Sequence, residues 1–191
     1  MPERRKPKFI HWVLMIAAFF VLSFGMVFGA EVLNFLYRSY TKPPASQLVG
    51  KPVPTFSLPT LGNASRRVTR QTLIGAPYLL STWSSWCQGC KQEHPAVTRF
   101  AESRRIQVIG LNIQDEPEDA AAWLARYGDP YAFTLVDYSG NIANRLEIFT
   151  SPHHVLVDAT GVVRWKRSAI LDDAMIRDEL LPAIATMERQ P

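Results

Sequence analysis

The sequence has little cysteine, little histidine and, over most of its length, no net charge. Its 191 residues include two cysteines and four histidines. Two cysteines cannot form the set of disulfides that holds a small disulfide-rich domain together. With only four histidines, the chain also has few candidate ligands for a metal site. Residues 51–191 carry 15 basic and 15 acidic side chains, so they lack the basic surface typical of nucleic-acid binding. No nucleic-acid partner is expected.

The positive charge that the chain does have is concentrated at its N-terminus. Residues 4–8 hold four basic side chains, and residues 9–30 form an apolar run without a full charge. About 20 apolar residues match the ~30 Å hydrocarbon core of a bilayer, and a flanking basic cluster stays on the cytoplasmic side. The pattern predicts a single-pass anchor in contact with membrane lipid, with the rest of the chain outside the cytoplasm.

A cleaved signal peptide is the alternative interpretation of this run. The apolar region of a signal peptide spans about 7–15 residues and ends in a small-x-small cleavage site. Here the run is longer, and the bulky Phe28 stands where a small residue is required, so an uncleaved anchor is favoured. The predicted organisation is a cytoplasmic basic tail over residues 1–8, a transmembrane anchor over 9–30, a juxtamembrane helix and linker over 31–49, and a folded domain over 50–191.

Beyond residue 50 the hydrophobic pattern alternates between strands and helices. Short apolar runs without helical spacing predict buried strands. A turn at Gly62-Asn63 predicts an N-terminal β-hairpin, and the turn Ala159-Thr160-Gly161 predicts a second hairpin. The predicted strands are 56–58, 66–69, 78–83, 106–112, 132–136, 152–158 and 162–166, and the predicted helices are 87–103, 115–127 with Asp115 as N-cap, and 172–188. This order predicts an α/β sandwich in which helices flank a central mixed sheet.

Both cysteines lie at one strand-to-helix junction, in the sequence Trp83-Ser84-Ser85-Trp86-Cys87-Gln88-Gly89-Cys90. A disulfide that closes so short a loop adds little stability, which favours a pair used for exchange. The first turn of a helix offers unpaired N–H groups and a partial positive charge, and both stabilise a thiolate. We therefore expect an exposed Cys87 to be the nucleophile and Cys90, one turn further along, to be the resolving thiol.

Two other interpretations of this pair stay open from the residues alone. One is an inert disulfide, and the other is half of a zinc site. Zinc in proteins normally has four ligands, and the domain offers only His94, His153 and His154 as histidine ligands. Thiol exchange is the favoured interpretation, and neither a metal nor a cofactor is expected.

Two prolines extend the pattern around the cysteines. Pro95 lies inside the predicted helix, where a proline kinks the chain, and the apolar spacing onward to Phe100 predicts that the helix continues. A Trp-Cys-x-x-Cys sequence after a buried strand, this proline, and Ser151-Pro152 at the start of a later strand together resemble thioredoxin. The resemblance implies a thioredoxin-like sandwich in which Pro152 is cis and packs against the disulfide. A trans proline that begins an edge strand is the alternative.

Further motifs narrow the resemblance to the DsbE/CcmG family, membrane-anchored thiol:disulfide interchange proteins of cytochrome c biogenesis. They are the apolar anchor and four stretches of the domain, namely Gly50-Lys51-Pro52-Val53-Pro54-x-Phe56, Cys90-Lys91-Gln92-Glu93-His94, Gly128-Asp129-Pro130-Tyr131 and Val157-Asp158-Ala159-Thr160-Gly161. The resemblance covers about residues 49–187.

The resemblance implies a periplasmic reductant, held in the bacterial inner membrane by a single helix with a cytoplasmic N-terminus. The Cys87/Cys90 dithiol would take electrons from a membrane thiol-electron donor of the DsbD/CcdA type. It would then reduce the heme-site C-x-x-C-H cysteines of apocytochrome c, directly or through a cytochrome c maturation protein. Covalent heme attachment needs free thiols, and this need is the physical reason for a reductant.

The resemblance also implies a client groove around the disulfide. Its expected members are Trp86, Gln88, Gly89, Ser151, Pro152 and His153. Thioredoxins relay protons through a buried Asp at the position where this chain has Ser81. Glu93, one turn after Cys90, is the candidate that would take over proton transfer.

The groove departs from the family pattern at several positions. His153 stands where the family usually has Glu, and Glu147 and Thr150 replace usual glycines. An imidazolium at His153 would stabilise the Cys87 thiolate, whereas an ordinary exposed histidine is the simpler alternative. Two further functions stay open: a general periplasmic thiol reductase or isomerase with other clients, and a non-enzymatic copper carrier that uses Cys87, Cys90 and His153.

Overall fold

The structure is a computed structural model that describes residues 8–41 and 46–189. These residues fall into two compact units, an N-terminal helix and a globular unit that begins at Ser46. Most of the predicted basic tail, residues 1–7, and part of the predicted linker, residues 42–45, lie outside the described residues.

The first unit is helix α1, Lys8–Thr41. Its stretch Trp12–Leu33 is 22 residues long and apolar enough to cross a membrane, because a helix rises 1.5 Å per residue and needs about 20 residues to span the hydrocarbon core. Large apolar side chains of this stretch, such as those of Phe19 and Met26, are exposed. The predicted anchor, residues 9–30, lies within α1, and the helix continues beyond it.

The globular unit is built on seven strands in one mixed sheet. The strands are β1 Ser57–Thr60, β2 Asn63–Thr69, β3 Tyr78–Trp83, β4 Gln107–Ile113, β5 Thr134–Asp137, β6 His153–Val157 and β7 Val163–Arg167. Their order is β2-β1-β5-β4-β3-β6-β7. Strands β3, β4 and β5 are parallel, whereas β6 is antiparallel to β3 and to β7. Strand β3 lies inside the sheet, between β4 and β6, so the segment that follows it emerges away from the two outer strands.

Both predicted hairpins are present, and turn chemistry explains each. Strands β1 and β2 are joined at Leu61-Gly62, where Gly62 has a φ of 79°, a left-handed conformation that glycine adopts readily. The connection from β6 to β7 depends on Asp158, whose Oδ1 accepts hydrogen bonds from the backbone N–H groups of Thr160 and Val162. The second hairpin fixes β6 beside β3.

The helices of the globular unit follow the predicted order, with two short additions. They are α2 Arg70–Leu73, α3 Gln88–Glu102, α4 Pro117–Tyr127, α5 Asn141–Arg145, α6 Asp173–Met175 and α7 Leu181–Glu188, with a π-helical segment Ile176–Leu180 between the last two. Helix α3 continues through Pro95, as predicted. The Asp172 carboxylate caps α6 at the N–H of Met175. Helices α2 and α5 are too short to produce a periodic signal.

The predicted N-cap of α4 is wrong. The cap position is Glu116, whose side chain makes no capping bond. The Asp115 carboxylate instead accepts hydrogen bonds from the backbone N–H and hydroxyl of Ser85 and from the amide of Asn112. Several charge-assisted bonds outweigh the single bond of a cap. Asp115 therefore ties the end of β4 to the loop before α3.

The sheet separates two apolar cores, because successive side chains of a strand point to opposite faces. What we term the disulfide face carries both cysteines and is covered by α3, α4 and α7; its core includes Trp83, Val97, Phe100, Trp123, Leu156 and Ile184. What we term the far face is covered by α5 and the residues that follow it; its core includes Leu80, Ile109, Leu111, Leu135, Leu146 and Val155. The predicted sandwich of a mixed sheet between helices is confirmed.

Candidate active site

The two cysteines lie at the start of α3 and form a disulfide. Cys87 is the N-cap residue of the helix, and its Cα is 5.3 Å from the Cα of Cys90. The Cys87 Sγ accepts a hydrogen bond of 3.1 Å from the backbone N–H of Cys90. Since the start of a helix offers unpaired N–H donors and a partial positive charge, this position would also stabilise a Cys87 thiolate after reduction.

The two cysteines differ in depth. Cys87 is 6% exposed and Cys90 is 2% exposed. The expectation of a clearly exposed Cys87 is therefore wrong for the oxidised form, because the proline loop packs over the first turn of α3. Cys90 lies deeper, with its Sγ 3.9 Å from the carbonyl oxygen of Thr82. Because Cys87 is the more accessible of the two to another protein, the arrangement suits a nucleophilic Cys87 and a resolving Cys90. These roles stay predictions.

The proline loop forms one side of the predicted groove. The peptide bond between Ser151 and Pro152 is cis, in line with the resemblance. A methyl group added at Gly89 would lie only 2.9 Å from Pro152 Cδ and 3.6 Å from Ile170 Cγ1. Glycine at this position therefore lets the helix and the proline loop approach closely. Two segments that are distant in the sequence meet next to the disulfide.

The loop before α3 forms the opposite side. Trp86 is 59% exposed and Gln88 is also exposed. The Trp86 indole Nε1 donates a hydrogen bond of 3.0 Å to the carbonyl oxygen of Gln114. Asp115 holds the same loop through Ser85, at 2.6 Å to its N–H and 2.7 Å to its hydroxyl. This network presents a fixed aromatic surface beside the disulfide, and such a surface suits contact with another chain.

His153 is not a groove residue in this structure. Its side chain is only 6% exposed, and the alternation along β6 places it on the far face with Val155. Burial, and after it the charge of Lys166, lowers the pKa of His153 to about 3, so the ring is neutral near neutral pH. Neither an imidazolium beside Cys87 nor an exposed histidine is found. The proposed copper ligands Cys87, Cys90 and His153 are not brought together.

His154, the next residue, lies on the disulfide face, and the sequence interpretation missed it. Its Nε2 is 3.1 Å from Glu93 Oε2, and the two side chains are 0% and 2% exposed. The same Glu93 oxygen accepts a hydrogen bond of 2.8 Å from the N–H of Leu171. The sequence did contain a signal for His154: successive residues of the strand after Pro152 point to opposite faces of the sheet, so only one of the two adjacent histidines lies on the disulfide face. Glu93, the candidate for proton transfer, thus has a histidine partner.

The fold and the site together define a class of protein. A mixed sheet between helices, a Cys-x-x-Cys disulfide at the start of a helix, and a cis-proline packed against that turn are the features of a thioredoxin-like thiol:disulfide oxidoreductase. The Redoxin family matches residues 48–174 of the chain. The matched region includes both cysteines and the proline loop.

Individual relatives define the family more narrowly. The thiol:disulfide interchange protein DsbE of Xylella fastidiosa strain 9a5c is 41% identical over 169 residues, which cover 87% of this chain and 86% of the relative. DsbE of Pseudomonas aeruginosa is 32% identical over 180 residues, which cover 93% and 98%. A solved structure, a secreted Mycobacterium tuberculosis disulfide oxidoreductase homologous to E. coli DsbE, has a TM-score of 0.56 at 23% identity, covering 69% of this chain and 95% of that chain. The chain belongs to the DsbE thiol:disulfide interchange proteins of the Redoxin family.

Proposed function

We propose that this chain reduces the heme-site cysteines of apocytochrome c, or a partner protein of cytochrome c maturation, in the periplasm. The observation that carries the proposal is the Cys87–Cys90 pair at the start of α3, bordered by the exposed Trp86 and by the cis-proline loop. The resemblance to the DsbE/CcmG family supports the choice of client. The two cysteines of a C-x-x-C-H sequence can form a disulfide, which such a dithiol can reduce.

The reaction consists of two successive thiol–disulfide exchanges. The Cys87 thiolate attacks one sulfur of the client disulfide, the client S–S bond breaks, and the first client thiolate leaves. A mixed disulfide then joins Cys87 to the client. Cys90 loses its proton and attacks the Cys87 sulfur, which releases the second client thiolate and restores the Cys87–Cys90 disulfide. The client gains two electrons, and the dithiol loses them.

Each cycle leaves the pair oxidised, so the proposal requires a source of electrons. The family resemblance supports a membrane thiol-electron donor of the DsbD/CcdA type. The apolar stretch Trp12–Leu33 supports a single-pass anchor in the inner membrane with a cytoplasmic N-terminus. Such an anchor would keep the globular unit near a donor that is itself in the membrane.

Trapping the mixed disulfide in the full-length, membrane-bound protein tests the client. With Cys90→Ser, the second exchange cannot occur, and we expect a reductant-sensitive adduct between Cys87 and a protein with a C-x-x-C-H sequence. Cys87→Ser should abolish exchange, and the double variant should give no adduct. Adducts only with proteins that lack C-x-x-C-H would contradict the cytochrome client.

Deleting the gene separates the proposal from a general thiol reductase or isomerase. The cytochrome role predicts a loss of c-type cytochromes, whereas a general reductase would leave them at normal levels. A reductant should also have a Cys87–Cys90 potential well below the about −120 mV of the strong oxidant DsbA. A potential near that of DsbA, measured on the full-length protein in detergent, would contradict a reducing role.

A further inference from the structure

Two buried titratable side chains behind the disulfide have no part in the two exchanges described above. Glu93 and His154 are almost completely inaccessible to solvent and lie 3.1 Å apart. Burying such a pair costs free energy, because ionised groups lose their hydration and the attraction between them repays this only in part. Strongly buried acid–base pairs next to a reactive group are candidates for a chemical role.

The hydrogen bonds around Glu93 assign the two nitrogens of His154. As a carboxylate, Glu93 accepts from the Leu171 N–H at 2.8 Å and from His154 Nε2 at 3.1 Å. A neutral imidazole that donates through Nε2 has a lone pair on Nδ1. Within the described part of the chain, this Nδ1 is buried without a hydrogen-bond partner. In that tautomer, Nδ1 is the nitrogen whose lone pair is not already used in a hydrogen bond.

The pair and the resolving thiol border the same part of the core. Cys90 and Glu93 are three positions apart in α3, a spacing that places their side chains on one side of the helix. On the sheet side, the Cys90 Sγ lies 3.9 Å from the carbonyl oxygen of Thr82. Ser81, the preceding residue of β3, is paired directly with His154 across the β3–β6 ladder. His154 and Cys90 therefore approach the same short stretch of β3 from the disulfide face.

We propose that His154, held by Glu93, receives the proton that Cys90 releases in the second exchange. The S–H bond of Cys90 breaks, its proton goes to Nδ1 of His154, and the sulfur electron pair forms the bond to Cys87. The client thiolate leaves and takes up a proton from the imidazolium or from solvent. The Glu93 carboxylate stabilises the imidazolium, as an acid does beside a histidine that activates a nucleophile. The inference rests on the two-step exchange of the proposed function, and not on the choice of client.

The other titratable groups around the pair do not compete for this proton. Burial, and after it the Glu93 carboxylate, raises the pKa of Tyr131, so its phenol keeps its own proton. His153 is buried and neutral on the far face. The remaining charged or basic neighbours are engaged elsewhere: Arg167 with Glu179, His94 with the Tyr127 carbonyl, and Lys166 with Glu147.

The two exchanges can be followed separately in the reduced full-length protein, in detergent, with an equimolar amount of dithiobis(nitrobenzoate) as the disulfide probe. Attack by Cys87 releases the first coloured thiolate, and attack by Cys90 releases the second. We expect His154→Gln to slow the second release about 100-fold at neutral pH and to leave the first unchanged. The difference between the variant and the wild type in the rate of the second release should shrink as the pH rises toward about 8.5, because solvent then takes up the thiol proton.

The chain offers a matched control in the adjacent position. His153→Gln removes the same ring from a site on the far face that is also buried, and we expect both releases to stay at the wild-type rates. Glu93→Gln is a second variant, because its amide still accepts from the Leu171 N–H but cannot stabilise an imidazolium, and the same slowing is expected.

Four results would overturn the inference. They are an unchanged second release in His154→Gln, equal slowing of both releases in that variant, a slowing that does not depend on pH, and the same slowing in His153→Gln. A wild-type protein that gives no first release would instead contradict the exchange function itself, so the two failures are distinguishable.

Discussion

The two faces of the central sheet bury very different side chains. The disulfide face contains linked polar groups, namely Glu93 with His154, and Asp115 with Ser85 and Asn112. The far face is formed mainly by aliphatic side chains, with the neutral His153 near its edge. Because neighbouring strand residues serve opposite faces, one sheet can place the reactive polar groups on one face while both faces bury apolar cores.

Adjacent residues of β4 illustrate how sharply the faces differ. A methyl group at Gly110 would lie 2.9 Å from Trp83 Nε1 and 3.0 Å from Tyr131 Cδ2 on the disulfide face. The next residue, Leu111, is completely buried in the far core. The absence of a side chain at one position makes room for the aromatic residues, while the large side chain beside it fills the aliphatic core.

Truncating the far core should give the largest loss of stability. Leu111→Ala leaves a cavity in a well-packed region, and we expect the free energy of unfolding to fall by about 2–5 kcal/mol. Denaturant titration of the full-length protein in detergent measures this loss. Both thiolate releases from the folded variant should keep their wild-type rates. A slowed release would show that the far face also serves the chemistry.

Acid should reveal the one buried histidine of the far face. Burial, followed by Lys166, lowers the pKa of His153 to about 3, so between about 6.5 and 3 the unfolded chain binds a proton that the folded chain does not. Stability from this group is therefore complete above about pH 6.5 and is lost as the pH falls, by about 2 kcal/mol at pH 5. The free energy of unfolding against pH measures the effect.

The histidine variant isolates this contribution from the other groups of the protein. His153→Gln should flatten the acid side of the stability profile relative to the wild type. An unchanged slope would mean that His153 is protonated in the folded state, which would weaken the contrast between the two faces.

Much of the fold follows from the sequence because its signals are local and repeated. Apolar runs predicted the strands, and glycine-containing turns predicted both hairpins. The wrong prediction of Asp115 as an N-cap has a clear cause. An Asp before a helix can accept hydrogen bonds from the first turn of that helix or from a different loop. The choice depends on where Ser85 lies in space, which the local sequence does not show.

The part of the site that lies in one short segment of the sequence could be predicted. Spacing identified Cys87 and Cys90, and the resemblance identified Pro152. The roles of the two adjacent histidines depend on the register of β6 against β3, since a shift of one residue exchanges the faces. The resemblance placed His153 in the groove because it follows the proline, and periodicity in a five-residue strand does not fix the register that puts His154 on the disulfide face instead.

The exposed edge of the disulfide face should affect recognition with only a small effect on stability. Trp86 is 59% exposed and donates one hydrogen bond, to Gln114, so Trp86→Ala should lower the free energy of unfolding by no more than about 1.5 kcal/mol. Loss of an aromatic contact of about 1 kcal/mol would raise the KM for a disulfide-bonded C-x-x-C-H peptide about fivefold and leave kcat unchanged. The rates with dithiobis(nitrobenzoate), which has no peptide chain on either side of its disulfide, should not change. If both substrates are affected equally, Trp86 supports the disulfide itself, and recognition must depend on another part of that face.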